Sequence, residues 1–269
     1  MSTDHGQGLP PGARPAYGVA IGYAVLTVAA LAWSLSGIEV SPERIMRGFG
    51  QAGHLLTMMF LQPDWSYVAK EDGLLEGLRQ SVQIAALGTA IAAVLAIPFG
   101  VLAARNLYPL PIAPLIGKQL LNLIRTFPEL LLAIAFIKGI GPGAFAGVLA
   151  IGIHSIGMMG KLYAERIETT DKGALESLRA AGASPLEVFV FGIVPEVLPD
   201  FLSFTLYRFD LNIRSATVLG IVGAGGIGEK LVFQQMSSNW HTIGVIVMGI
   251  IVTILLVDFI SGKLRAKLA

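Results

Sequence analysis

Along this chain apolar residues come in long blocks divided by short polar punctuation. Residues 17–38 supply the roughly twenty apolar positions that cross a bilayer as a helix. Blocks of the same kind predict further spans over about 74–104, 115–139, 144–163, 199–222 and 242–260. Phe127-Pro128 should break the third span, because proline cannot donate to the helical ladder, and Gly139-Ile-Gly-Pro-Gly143 should turn the chain after it. Residues 41–61 follow a different pattern. There Ile45, Met46, Phe49, Leu56, Met59 and Phe60 recur with helical period among Arg44, Arg47, Gln51 and His54, which predicts an amphipathic helix lying in the membrane interface.

The expected fold class is therefore all-α, a polytopic membrane protein with six transmembrane helices. Its parts are a cytoplasmic tail over 1–16, the first span over 17–38, an extracytoplasmic loop over 39–73, a core over 74–262 and a basic cytoplasmic tail over 263–269. Ala30-Leu-Ala32 leaves a cleaved signal peptide as the alternative for the first block. Composition agrees with the pattern: with 54% hydrophobic and 14% charged residues and a mean hydropathy of +0.70, 269 residues cannot hide their apolar surface in one water-soluble core. The net charge of +1 gives no reason to expect nucleic acid; membrane lipid is the expected surrounding. Cysteine is absent, which excludes disulfides and thiolate sites. His5, His54, His154 and His241 have no ligand-like spacing, so neither a metal nor a cofactor is expected.

Basic residues set the orientation. Six spans with both ends inside place Arg14, Arg105, Lys118, Lys161, Arg166, Lys172, Arg179 and the last three basic residues in the cytoplasm, in the sense of the positive-inside rule. This puts the polar stretch over 171–194 on the cytoplasmic side. Gly182 suits the left-handed residue ending a first short helix, and Ser184, Pro185 and Glu187 suit the N-cap, N1 and N3 of a second. Pro195 and Pro199 should mark the start of the next long element. The segment carries Leu175, Leu178, Leu186, Val188 and Phe189, too apolar for a flexible linker, and reads as a docking surface; a plain connecting loop is the other reading.

The spacing of Glu176, of Gly182 six positions on and of Pro195 thirteen beyond it resembles the cytoplasmic signature of ABC-type importer permeases. Ser177 and Leu178 depart from that pattern's Ala-Ala, Gly192 from its apolar position and Val194 from its preferred Leu. The continuation, from Leu206-Tyr-Arg208-Phe-Asp210 through Asn212, Arg214 and Thr217 to Gly228, is similar to the phosphonate branch of the family (phosphonate, phosphite or phosphate). The resemblance covers about 74–260. It implies a type I ABC importer permease-like fold in the bacterial inner membrane, pairing as a homodimer with two separate ATPase subunits and an extracytoplasmic solute-binding protein. It further implies import by alternating access, with no covalent chemistry in this chain. Glu176, Gly182, Ser184, Glu187 and Pro195 would couple to the ATPase, and Gly223, Gly225, Gly226 and Gly228 would form the outer gate turn.

Gly223-x-Gly225-x-x-Gly228 also fits a dinucleotide fingerprint, but that motif needs a surrounding βαβ unit, whereas this one ends a spanning helix. Glu229 and Leu231 stand where a Walker A loop requires Lys and Ser or Thr, so ATP should bind elsewhere.

Charges inside spans carry the remaining information, since each costs about 2.5–3.5 kcal/mol to insert. Asp210 and Arg214 are four apart and can neutralise each other, as can Arg125 and Glu129. Arg208 falls with Asn212 and Ser215 on a stripe without an acid, so its countercharge should be Glu129 or the transported solute. The predicted pathway residues are Arg208, Asn212, Arg214, Asp210, Glu129 and His154. An ion-coupled secondary carrier using Glu129, His154 and Asp210 is the alternative function, and a membrane enzyme built on His154-Ser155 a more distant one. The hydroxyl and imidazole of that pair read first as hydrogen bonds between helices.

Overall fold

The computed structural model describes residues 17–37 and 41–268; the tail over 1–16, with His5 and Arg14, and the end of the first predicted span lie outside the described residues. The chain divides into two compact units, Met1–Leu55 and Leu56–Ala269. All regular structure among the described residues is helical.

The first unit holds α1 (Tyr17–Ser36), apolar along its length, and α2 (Pro42–Leu56). The Ser41 hydroxyl caps α2 by accepting from the Arg44 amide at 3.2 Å. No residue of α2 is buried.

The second unit opens with a π-type turn (Thr57–Leu61) and a 3₁₀ turn (Trp65–Ala69), followed by α3 (Leu74–Ala103). A second 3₁₀ turn (Arg105–Leu107) leads to α4 (Ile112–Thr126) and α5 (Glu129–Ile140). Then come α6 (Ala144–Glu168), α7 (Lys172–Ala180), α8 (Pro185–Gly220), α9 (Ile227–Met236) and α10 (Trp240–Leu268). By length and composition α3, α6, α8 and α10 can each cross a membrane, and α4 with α5, bent by 77° at Phe127–Pro128, can make a fifth crossing if the pair is one span. The described apolar stretch in α1, Ala20–Ser36, is shorter than a full span.

The bundle is built on the pairing of α3 with α6. A Cβ added at Gly88 would lie 2.8 Å from the Ile151 side chain, so the two backbones approach as small residues allow in a membrane, where packing rather than hydrophobic burial holds helices together. Ile84, Ala85, Val148 and Ile151 fill that contact, with Ile213, Ala216 and Leu219 of α8 against them.

Three boundaries depart from the sequence expectation. α8 begins at Pro185 rather than at Pro199. Its Val188–Ile193 stretch is π-type, so Pro195 falls in the first turn of the regular α-helix, where a missing N–H costs least, and the helix continues through Pro199. α10 runs on to Leu268, so Lys263, Arg265 and Lys267 extend a helix instead of forming a separate tail. α9 was not expected at all. Its N-terminus is capped from another helix, with the Ile227 amide donating to the Ser81 hydroxyl at 2.9 Å, a contact invisible in local sequence.

Candidate functional site

Between α6 and the regular part of α8 the chain forms a helical hairpin. Asp171 caps α7, accepting from the Gly173 amide at 3.1 Å, and the helix ends at Gly182, whose φ of +91° is the left-handed conformation glycine adopts without strain. Ser184 and Glu187 then form the expected capping box: the Ser184 amide donates to the Glu187 carboxylate at 2.7 Å, and the Glu187 amide to the Ser184 hydroxyl at 3.4 Å. These bonds hold the Glu187 carboxylate, so two of the expected coupling residues serve first to shape the turn.

Leu175 and Leu178 hold the hairpin to the bundle. A Cβ at Gly192 would sit 2.9 Å from both side chains, which explains glycine at a position where the importer pattern has an apolar residue. Leu175, Val188, Ile193 and Val197 join Ala104 and Ile167 in one small core. Below them Arg166 binds Glu196 at 3.2 Å and Asp200, fastening α6 to the start of α8. The outward side keeps Glu176, Arg179, Gly182, Leu186 and Phe191 exposed, the last two at 71% and 70%. Pro195 lies further along α8, exposed at the base of the hairpin.

A second polar group lies within the helices. The Arg208 Nε donates to the Ser155 hydroxyl at 2.9 Å and its Nη1 meets the Met158 sulfur at 3.3 Å. Asn212, fully buried, donates to Thr89 at 2.8 Å and to Ser155 at 3.1 Å, and Thr89 closes the chain by donating to the Ala85 carbonyl at 2.6 Å. The network thus ties α8 to α3 and α6. Glu129, at the start of α5, accepts from Ser215 at 3.0 Å through one oxygen, while its other oxygen is buried without a partner. Arg214 pairs with Asp210 at 3.4 Å, as their spacing predicts. His154 stands apart from both groups; its Nδ1 donates to the Phe127 carbonyl at 3.2 Å, satisfying the backbone at the break between α4 and α5.

One charge pairing expected from sequence, and one of the two offered for Arg208, are not made as ion pairs among the described residues. Arg125 and Glu129 form no ion pair, because the bend at Phe127–Pro128 takes them off a shared helical face. Arg208 forms none with Glu129 either; a hydroxyl and a thioether take its place. Thr89 is the network member the sequence did not single out, whereas Ser155, read with His154 as a hydrogen bond between helices, makes such bonds to Arg208 and Asn212. Small hydroxyl residues on spanning helices were the available signal, but only the packing of α3 and α6 selects these two.

The glycine turn between α8 and α9 is closed. Gly223, Gly225 and Gly226 have positive φ, and Gly225 to Gly228 are buried. The Gly226 amide donates to the Gln80 side chain at 2.6 Å, and a Cβ at Gly228 would strike the Thr217 carbonyl. The amides that a phosphate-binding loop would present are thus held by Gln80 and Ser81 of α3.

With this geometry in hand, similarity to known proteins narrows the reading. Residues 96–267 match the family of binding-protein-dependent transport system inner membrane components. The chain is 40% identical over 206 residues to the phosphite transport system permease protein PtxC of Stutzerimonas stutzeri, covering 76% of this chain and 74% of that one. It is 38% identical over 189 residues to the phosphate-import permease protein PhnE of Mycolicibacterium smegmatis, covering 70% of this chain and 36% of the relative. Among solved structures the fold is similar to a chain of the MetNI methionine ABC transporter in an inward-facing conformation, at a TM-score of 0.64 and 19% identity, covering 73% of this chain and 96% of that one.

Proposed function

We propose, from the premise that this chain belongs to the family of binding-protein-dependent transport system inner membrane components, that it forms the translocation pathway of an ATP-binding-cassette importer for a phosphorus oxyanion. Membership makes it a multi-pass permease component of the inner membrane and sets the secondary-carrier and enzyme readings aside. The observation that carries the mechanism is the hairpin of α7 and the start of α8. It is exposed on its outer side, locked to the bundle on its inner side, and continuous with the helix bearing Arg208, Asn212 and Arg214.

On this reading two copies of the chain form a homodimer around the pathway, two ATPase subunits dock on the cytoplasmic hairpins, and an extracytoplasmic binding protein delivers the solute. ATP binding closes the ATPases, the hairpins move with them, and the spanning helices reorient between inward- and outward-open states. Glu176 and Gly182 belong to the docking surface, and Gly223 to Gly228 to the outer gate. The class of solute follows from the phosphite and phosphate relatives and from charge: Arg125, Glu129, Arg208, Asp210 and Arg214 sum to +1 per chain, so a paired pathway carries about two positive charges toward a dianion.

The test is reconstitution of the purified complex, with its ATPase and binding protein, in proteoliposomes. Phosphite, phosphate or a simple phosphonate should stimulate ATP hydrolysis and accumulate inside, and methionine should do neither. Stimulation by none of the three oxyanions would overturn the substrate class, and transport without an ATPase would overturn the importer reading.

A further inference from the structure

We infer that α2 lies along one membrane–water interface, its apolar side among lipid acyl chains and its polar side at the headgroups, as a lipid-seated anchor between the first helix and the transport bundle. The inference does not depend on what is transported. On a helix, Ile45, Phe49 and Leu56 fall within a sector about 40° wide, and Arg47, Gln51 and His54 fall on the opposite side within about 60°. The apolar three are 47%, 75% and 53% exposed and no residue of the helix is buried. Fifteen residues span about 22 Å, short of the roughly 30 Å hydrocarbon layer, and the polar side forbids crossing.

The chain on both sides of α2 supports lipid as the occupant. Before it stands apolar α1, whose described side chains are exposed. After it, the Thr57–Leu61 turn is fastened to the first turns of α10: Gly244 meets the Met59 carbonyl so closely that a Cβ there would overlap it, and His241 Nδ1 donates to the Gln62 carbonyl at 2.6 Å. Trp240 opens α10, and Trp65 beside this junction is 61% exposed, the placement of aromatics at a membrane boundary. Both ends of α2 are therefore tied by the chain to membrane-embedded helices, and Arg47, paired with Glu43 at 3.2 Å, supplies the headgroup-facing charge.

Because the chain has no native cysteine, single nitroxide labels can be placed at 45, 49 and 56 and at 47, 51 and 54 in the full-length complex in phosphatidylethanolamine–phosphatidylglycerol nanodiscs. Collisional broadening by oxygen, which concentrates in lipid, should peak at 45, 49 and 56. Broadening by a water-soluble nickel chelate should peak at 47, 51 and 54, out of phase with the first. Two results would overturn the inference: equal access of the chelate to all six positions, which would mean a helix in water, or shielding of 45, 49 and 56 from both reagents, which would mean a protein cover such as a second copy or the binding protein.

Discussion

Arg208 is a cation in the middle of a helix bundle whose immediate partners are a hydroxyl and a thioether, and neither neutralises it. On the proposed pathway role its charge acts on an anion in transit as well as on Glu129, which lies within electrostatic reach. Arg208→Gln keeps a donor for Ser155 and removes the charge, so it should abolish uptake while basal ATP hydrolysis and assembly stay near wild type, measured in the same proteoliposomes. A role limited to balancing Glu129 behaves differently: Arg208→Gln with Glu129→Gln would then regain uptake, and such recovery sinks the pathway role. Close backbone contacts make another residue-scale prediction. Gly228→Ala places a methyl group against the Thr217 carbonyl and should lower stability by about 1–3 kcal/mol, read by thermal unfolding in detergent. Gly139→Ala meets nothing within 4 Å and should leave stability unchanged or slightly raised. Sequence showed Arg208 and Asn212, with Ser215, on a stripe without an acid. It could not show Ser155 and Thr89 as their partners, because that choice is made by the register of α3 against α6. Spacing misled at Arg125 and Glu129, where the rule for residues four apart assumes a helix that the proline interrupts.

At the scale of elements, local chemistry was legible wherever it is local. The Ser184–Glu187 capping box, the left-handed Gly182 and the break at Phe127–Pro128 all follow from a few adjacent residues. α9 escaped because its cap comes from Gln80 and Ser81, and the early start of α8 escaped because a π-type stretch repositions Pro195. Gly182 offers the sharpest element-level test. A Cβ there meets nothing within 4 Å in this chain, so any effect of substitution on the chain's own fold comes from the positive φ. Gly182→Asn, which tolerates that conformation, should keep substrate-stimulated ATP hydrolysis, whereas Gly182→Val should lose most of it with insertion intact. Equal stimulation in the two variants would remove the hairpin from the coupling path.

For the whole molecule, the proposed arrangement has α7 and the segment between α9 and α10 on opposite sides of the membrane. Cysteines at Ala180 and Ser237, both exposed and both outside the capping box, should react with a membrane-impermeant maleimide from the cytoplasmic and the extracytoplasmic side respectively. Labelling of both from one side would refute the topology. The continuity of α8 then has a consequence of leverage. No loop separates Pro185 at the docking end from Gly220 at the glycine turn, and Asn212, the residue that pins α8 to two neighbouring helices, lies roughly three-quarters of the way along. On the proposed mechanism α8, coupled to α6 by Arg166 near its docking end, would swing about Asn212 with a short arm about a third as long as its long arm, so a displacement at the hairpin would reach the glycine turn reduced about threefold and reversed in direction. Such a reduction gear suits its load: contacts as close as Gly220 on Gly225 and Gly228 on Thr217 lose much of their dispersion energy over a gap of about an ångström, so on that mechanism a modest movement would loosen the proposed outer gate.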